Sequence, residues 1–187
     1  MGPLLEIFSG FGLSASAGLN AYIPLLVTAL LARFTNLIQL KEPWDALTSW
    51  WIIGLLIVLS LVEFFLDKIP VVNHINDIVQ SIVRPTAGAI VFAASSNIIT
   101  DIHPVLALAL GLLVAGSVNL VKTAAVRPAV SASTAGAGNI PVSFVEDATS
   151  TGVSILSIVV PVLVAVIMIF LLVWIVWRFV LRPPHRV

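Results

Sequence analysis

The chain has no cysteine. That excludes a disulfide framework, a thiolate metal site and a catalytic thiol. Charge is scarce as well. Nine Lys and Arg and nine Asp and Glu make up 10% of the 187 residues and sum to zero. A soluble domain carries about 25% charged residues, so a soluble fold of this size could not cover its surface. With 59% hydrophobic residues and a mean hydropathy of +1.13, the chain reads as an integral membrane protein. It has no basic run, so nucleic acid is not an expected partner. His74, His103 and His185 are far apart and lack metal-ligand spacing, so neither a metal nor a cofactor is expected. Serines are many, but no GxSxG elbow occurs, and no catalytic residue is assigned. No cleavable signal peptide is expected. Glu6 stands where a basic region would be, and the apolar run after it is too long for a signal-peptide core.

Polar sequence is concentrated between Asn73 and Pro85. Asn73, Asn76, Asp77, Gln80 and Arg84 share one helical face, and Val72, Ile75, Val79 and Ile82 the opposite one. The residue before a proline resists the α conformation, so the helix should break at Arg84-Pro85. As a separate amphipathic helix the stretch would lie on the membrane surface or in a cavity between helices.

Around it the apolar segments follow in order. Phe11 to Ala32 is uncharged and long enough to span, with a small-residue first half and Asn20 and Pro24 as a kink or a discontinuity. Trp44, Trp50 and Trp51 form an interfacial belt. Leu47 to Leu66 is the second span, interrupted by Glu63 and closed by Asp67 and Lys68. Residues 86–100 and 129–145 are short and rich in small residues, and each either crosses or re-enters. Ala129 to Asn139 is expected to be irregular backbone packed tightly in the membrane. Pro104 to Val121 and Ala148 to Trp177 complete the spans. The expected fold is an all-α, polytopic transmembrane bundle, one domain over 1–187. It has four long spans, the two short or re-entrant segments and the amphipathic helix. Arg178, Arg182 and Arg186 place the C-terminus in the cytoplasm, although Arg33 and Lys41 then fall outside.

Two internal echoes point to a repeat. Asn76, Val83, Arg84 and Pro85 recur as Asn119, Val126, Arg127 and Pro128, an offset of 43. SASAGLNAYIP (14–24) aligns with SASTAGAGNIP (131–141) at five of eleven positions, and places Asn20 and Asn139 in related segments. Chance similarity in a biased composition is the competing explanation. Repeat-built transporters place their sites where broken helices meet.

Charges inside spanning segments are costly and mark function by default. Arg84 and Arg127 each precede a proline that would open a short helix, and an arginine beside a helix start suits phosphate or carboxylate. Arg84, Arg127, Asn76, Asn119, Asn20 and Asn139 are therefore the expected substrate-binding residues. Glu63, Asp67, Lys68, Asp77, Lys122, Glu146 and Asp147 are the expected charge- or proton-coupling residues, unless they merely pair or snorkel at membrane ends. Glu63 and Asp67 could bind Mg²⁺ for a lipid-phosphate transferase, but no acidic signature supports an enzyme.

GLNAYIPLL (18–26), EFFLDKIPVVNHINDIVQ (63–80), VRPTAGAI (83–90) and the stretch GNIPVSFVEDATS ending at Ser150 resemble an uncharacterised family of small bacterial integral membrane proteins, a domain of unknown function. The resemblance covers essentially the whole chain. It implies a multi-helix protein of the bacterial inner membrane and no substrate. The leading expectation is a transporter or flippase for a small anionic solute or lipid phosphate, working among membrane lipid as a homo-oligomer. An oligomeric channel lined by small residues and a structural or accessory subunit are the alternatives.

Overall fold

The structure, a computed structural model, describes residues 3–68, 70–96 and 103–176. Asp101 and the tail arginines Arg178, Arg182 and Arg186 lie outside the described residues. The architecture is all-α: α1 (Pro3–Leu19), α2 (Tyr22–Phe34), a 3₁₀ turn (Trp44–Thr48), α3 (Trp50–Leu66), α4 (Pro70–Ser96), α5 (Pro104–Val121), a π-helical turn (Lys122–Val126), α6 (Arg127–Thr134), α7 (Asn139–Val159) and α8 (Pro161–Val176). Among the described residues, three helical stretches are long and apolar enough to cross a membrane: Ile78–Ser95, Pro104–Thr134 and Asn139–Val159.

The first apolar segment is not one continuous helix. Asn20 stops α1, and its Oδ1 accepts the backbone N–H groups of Tyr22 and Ile23, both at 3.1 Å. That is the work of a helix cap, and it starts α2 at once. Pro24 falls in the first turn of α2, where its missing N–H is harmless. α2 then packs back along α1. Trp44, ten residues past the end of α2, joins Phe92, Ala93 and Ala107 together with Phe11, and Phe11 meets Phe92 edge-on at 5.1 Å. The chain thus leaves on the side where α1 began. With 17 and 13 residues, the arms reach roughly 25 and 20 Å at 1.5 Å per residue, short of the ~30 Å hydrocarbon core. α1 and α2 form a helical hairpin whose tip, Leu19 to Ala21, ends inside the bundle.

Two expected breaks do not occur. α4 runs unbroken from Pro70 to Ser96 through Arg84-Pro85. The segment 73–85 is therefore not a separate amphipathic helix, and 86–96 continues the same helix. A proline inside a helix costs about 3 kcal/mol. Packing outweighs it: Ala87, Ala89, Val91, Phe92, Ala93 and Ala94 are buried against α1 and α5. The polar face of α4 turns inward, with Asn76, Gln80 and Arg84 buried and Ile78, Val79 and Ile82 exposed. Likewise Arg127-Pro128 does not break the chain, because α5, the π turn and α6 join into one helix from 104 to 134. The expectation that Ala129 to Asn139 packs tightly is overturned too. It is mostly exposed, and it ends α6 in a turn with Ala135 at φ 50° and Gly136 at φ 88°.

Glycine sets the closest approach. A Cβ on Gly18 would lie 2.6 Å from the Ala115 carbonyl oxygen, and a Cβ on Gly88 would overlap Ala115. α7 carries a stripe of buried serines, Ser143, Ser150, Ser154 and Ser157. Ser16 Oγ meets Ser150 Oγ at 2.8 Å and Ser154 Oγ at 2.6 Å, and Ser9 Oγ donates to the Ser157 carbonyl at 2.6 Å. These small residues let backbones approach where apolar bulk would hold them apart.

Candidate functional site

The hairpin tip meets a cluster of buried charges drawn from five elements. The inward stripe of α3, Ile53, Leu56 and Glu63, leads into Asp67 and Lys68 just past the helix end. α4 supplies Asn76 and Arg84. The inward stripe of α5, Ala107, Gly111, Ala115 and Asn119, continues through Lys122 to Arg127. Residues five apart on an α-helix point roughly 140° apart. The wider π turn between Lys122 and Arg127 brings both side chains back to one face, and such π segments are frequent at functional sites. α7 supplies Glu146 and Asp147.

The contacts are dense. Arg84 donates to Glu63 Oε1 from Nη2 at 3.0 Å and from Nε at 3.3 Å, and to Asn119 Oδ1 from Nη1 at 3.0 Å. Arg127 Nη2 lies 2.6 Å from Glu146 Oε2, which Lys122 Nζ also reaches at 3.0 Å. Asp67 Oδ2 faces three cations, Arg127 at 3.4 Å, Arg84 at 3.5 Å and Lys122 at 3.8 Å. Its Oδ1 accepts from Asn76 Nδ2 at 2.7 Å. Asp147 pairs with Lys68 at 3.1 Å and accepts from Asn20 Nδ2 at 2.9 Å. Lys68 Nζ also sits over the Phe64 ring at 3.2 Å and the Phe144 ring at 4.3 Å, a cation–π arrangement that offsets its lost water.

Glu63, Asp67, Glu146 and Asp147 balance Lys68, Arg84, Lys122 and Arg127. Arg84 is 0% exposed and Glu63 1%. Eight unpaired charges at mid-helix would cost on the order of 20 kcal/mol to insert, so mutual pairing is a condition of folding.

The hairpin tip is tied into this network at both of its helix ends. Lys122 Nζ donates to the Leu19 carbonyl, at the C-terminus of α1, at 2.8 Å. The Glu63 carboxylate accepts the Ala21 N–H, at the N-terminus of α2, at 3.2 Å. A cation meets the negative end of one helix dipole and an anion meets the positive end of the other.

Of the expected binding residues, Arg84, Arg127, Asn76, Asn119 and Asn20 come together here. Asn139 does not. Its Nδ2 donates to Ser131 Oγ at 2.7 Å at the α6–α7 turn. Glu63, Asp67, Lys68, Lys122, Glu146 and Asp147 all belong to the network. The Asp77 side chain lies outside the described residues. Neither arginine sits at a free helix start, because α4 and the α5–α6 helix are continuous there. The helix ends that meet the network belong to α1 and α2. The backbone groups of Leu19 and Ala21 were not expected in the site, and the sequence signal for them was Asn20 within an otherwise uncharged run.

A family model described as Domain of unknown function (DUF4126) matches residues 7–180. The chain belongs to that family. No curated protein and no solved structure matches the chain. The DUF4126 match covers every residue of the charge network and the whole hairpin tip, so the site lies within the family's own domain.

Proposed function

We propose that this DUF4126 protein is a membrane carrier for a small anionic solute or lipid phosphate, with the anion held by Arg84, Lys122 and Arg127. One observation carries the reading: a hairpin that stops inside the bundle and delivers two helix ends to a balanced network of eight charges. Discontinuous helices whose ends point at a charged site are how many transporters bind substrate and coupling ion away from water. Buried ion pairs are seldom the cheapest route to stability, since well-packed apolar residues often do as well or better. Binding chemistry is the reason to keep so many in so small a bundle. In this reading α3, α4, α5–α6 and α7 cross the bilayer, and α1–α2 enters and leaves on one side.

The channel alternative needs small residues to line a pore. Here Ser16, Ser150 and Ser154 bond one another and Gly18 and Gly88 are filled by neighbouring helices, which favours a carrier. Native mass spectrometry of protein purified in mild detergent, with lipid extraction, tests the reading. A retained anionic lipid or solute, lost in Arg84→Ala, is the expected result. A protein that stays free of anions when lipids and metabolites are offered in excess would turn attention to an accessory role, for which a co-purifying protein is the sign.

A further inference from the structure

Asp67 stands apart within the network. One of its oxygens faces all three cations of the proposed site, at 3.4, 3.5 and 3.8 Å. The other is held by a single neutral group, Asn76, at 2.7 Å. It follows the last turn of α3, so its backbone belongs to a junction rather than a helix interior. A carboxylate gathered by two arginines and a lysine occupies the position that a bound oxyanion would take.

We propose that Asp67 is a built-in stand-in for the substrate, displaced when an anion of single charge binds and neutralised by a proton as it leaves. The proposal rests on the carrier reading and adds to it the coupling ion and the charge of the substrate. The charge count carries it. Among the described residues the cluster holds four acids and four bases, and with all eight ionised it is neutral. A protonated Asp67 leaves it one positive charge in excess, and an anion of single charge restores neutrality. A dianion would leave a buried negative charge, which is expensive.

The groups facing Asp67 from each packed element are consistent with this exchange. Arg84 and Asn76 come from α4, Lys122 from the π turn and Arg127 from α6. Glu63 shares Arg84 with it, and Glu146 on α7 shares Lys122 and Arg127. Glu63 and Glu146 are each already within 3.0 Å of a cation, and Glu63 also binds the hairpin tip. Asp67 makes the longer ion pairs and is the easiest of the three to exchange. The chemistry recognised is a singly charged oxyanion, either a free carboxylate or a phosphodiester headgroup.

The experiment is isothermal titration of the purified full chain with lactate and with dimethyl phosphate, in buffers of different ionisation enthalpy. The expected result is uptake of one proton per anion bound, with apparent affinity rising about tenfold for each unit fall in pH. Asp67→Asn should bind about tenfold more tightly or better at neutral pH, with no proton uptake. Asn76→Ala loosens Asp67 without altering charge, so it should bind more tightly with the proton count unchanged. The wild-type proton count stands even if Asp67→Asn does not fold. Binding of lactate alone assigns a free carboxylate, and binding of dimethyl phosphate alone assigns a phosphodiester. Anion binding without proton uptake overturns the role of Asp67 while leaving the carrier reading intact. No binding of either probe to the wild type or to Asn76→Ala overturns the carrier reading itself.

Discussion

Replacing Arg84 by methionine removes the most enclosed cation of the network. Its guanidinium makes two bonds to Glu63, at 3.0 and 3.3 Å, and one to Asn119, at 3.0 Å. Without it, Glu63 keeps among the described residues only the Ala21 N–H as a hydrogen-bond donor, and its charge stays buried. Breaking a buried pair by removing one partner costs about 3–5 kcal/mol. Removing both charges is a different perturbation. In Glu63→Gln with Arg84→Met, the glutamine oxygen still accepts the Ala21 N–H, and no charge is left alone. Apolar replacement of a whole buried pair is often close to neutral, so the double variant should regain most of the loss, within about 1–2 kcal/mol of the wild type. The assay is reversible unfolding in mixed micelles, followed by far-UV circular dichroism. A single variant that loses under about 1 kcal/mol would show that Glu63 finds another partner or water. A double variant as unstable as the single would show that the methionine site itself fails to pack. Either result refutes the pairing account.

Other perturbations test the fold around the site. Gly88→Val should cost about 1–3 kcal/mol or more by overpacking, since its side chain meets Ala115, and the loss would appear in the same unfolding assay. Ser16→Ala removes hydroxyl contacts to Ser150 and Ser154. Interhelical polar contacts in membranes average about 0.6 kcal/mol each, so the expected loss is about 1 kcal/mol, and a loss several times larger would mean the serine cluster does more than pack helices. Lys122→Met frees the Leu19 carbonyl and should loosen the hairpin tip. Faster hydrogen exchange at residues 19–23 in that variant, with exchange in α8 unchanged, is the check.

Much of the site was legible in the sequence. Charges and amides in an apolar chain have few places to go, and the i, i+4, i+8 spacing of Asn76, Gln80 and Arg84 put them on one face before any packing was known. The Asn119 to Arg127 echo repeated the same eight-residue interval. What misled was local backbone logic. Pro85 and Pro128 carry a break signal, yet tertiary packing of α4 and the continuity of α5–α6 override it. Asn20, a milder signal, marks the real break, because its side chain caps α2 and its neighbours bind Lys122 and Glu63. The π turn has no sequence signature here. Only the need to bury both Lys122 and Arg127 explains it. The 14–24 and 131–141 echo placed Asn139 beside the site, but the structure leaves it at the α6–α7 turn, and the shared Ile-Pro ending falls in the first turns of α2 and α7.

In the proposed carrier, Arg84, Lys122 and Arg127 hold the transported anion at the hairpin tip. The most direct measurement is the movement of radiolabelled lactate and of labelled phospholipid in proteoliposomes, comparing the wild type with the folded Glu63→Gln, Arg84→Met variant. Saturable movement of one of these substrates by the wild type, with background rates for the variant, is the expected result. Equal rates for wild type and variant, or wild-type rates no faster than protein-free vesicles, would contradict it.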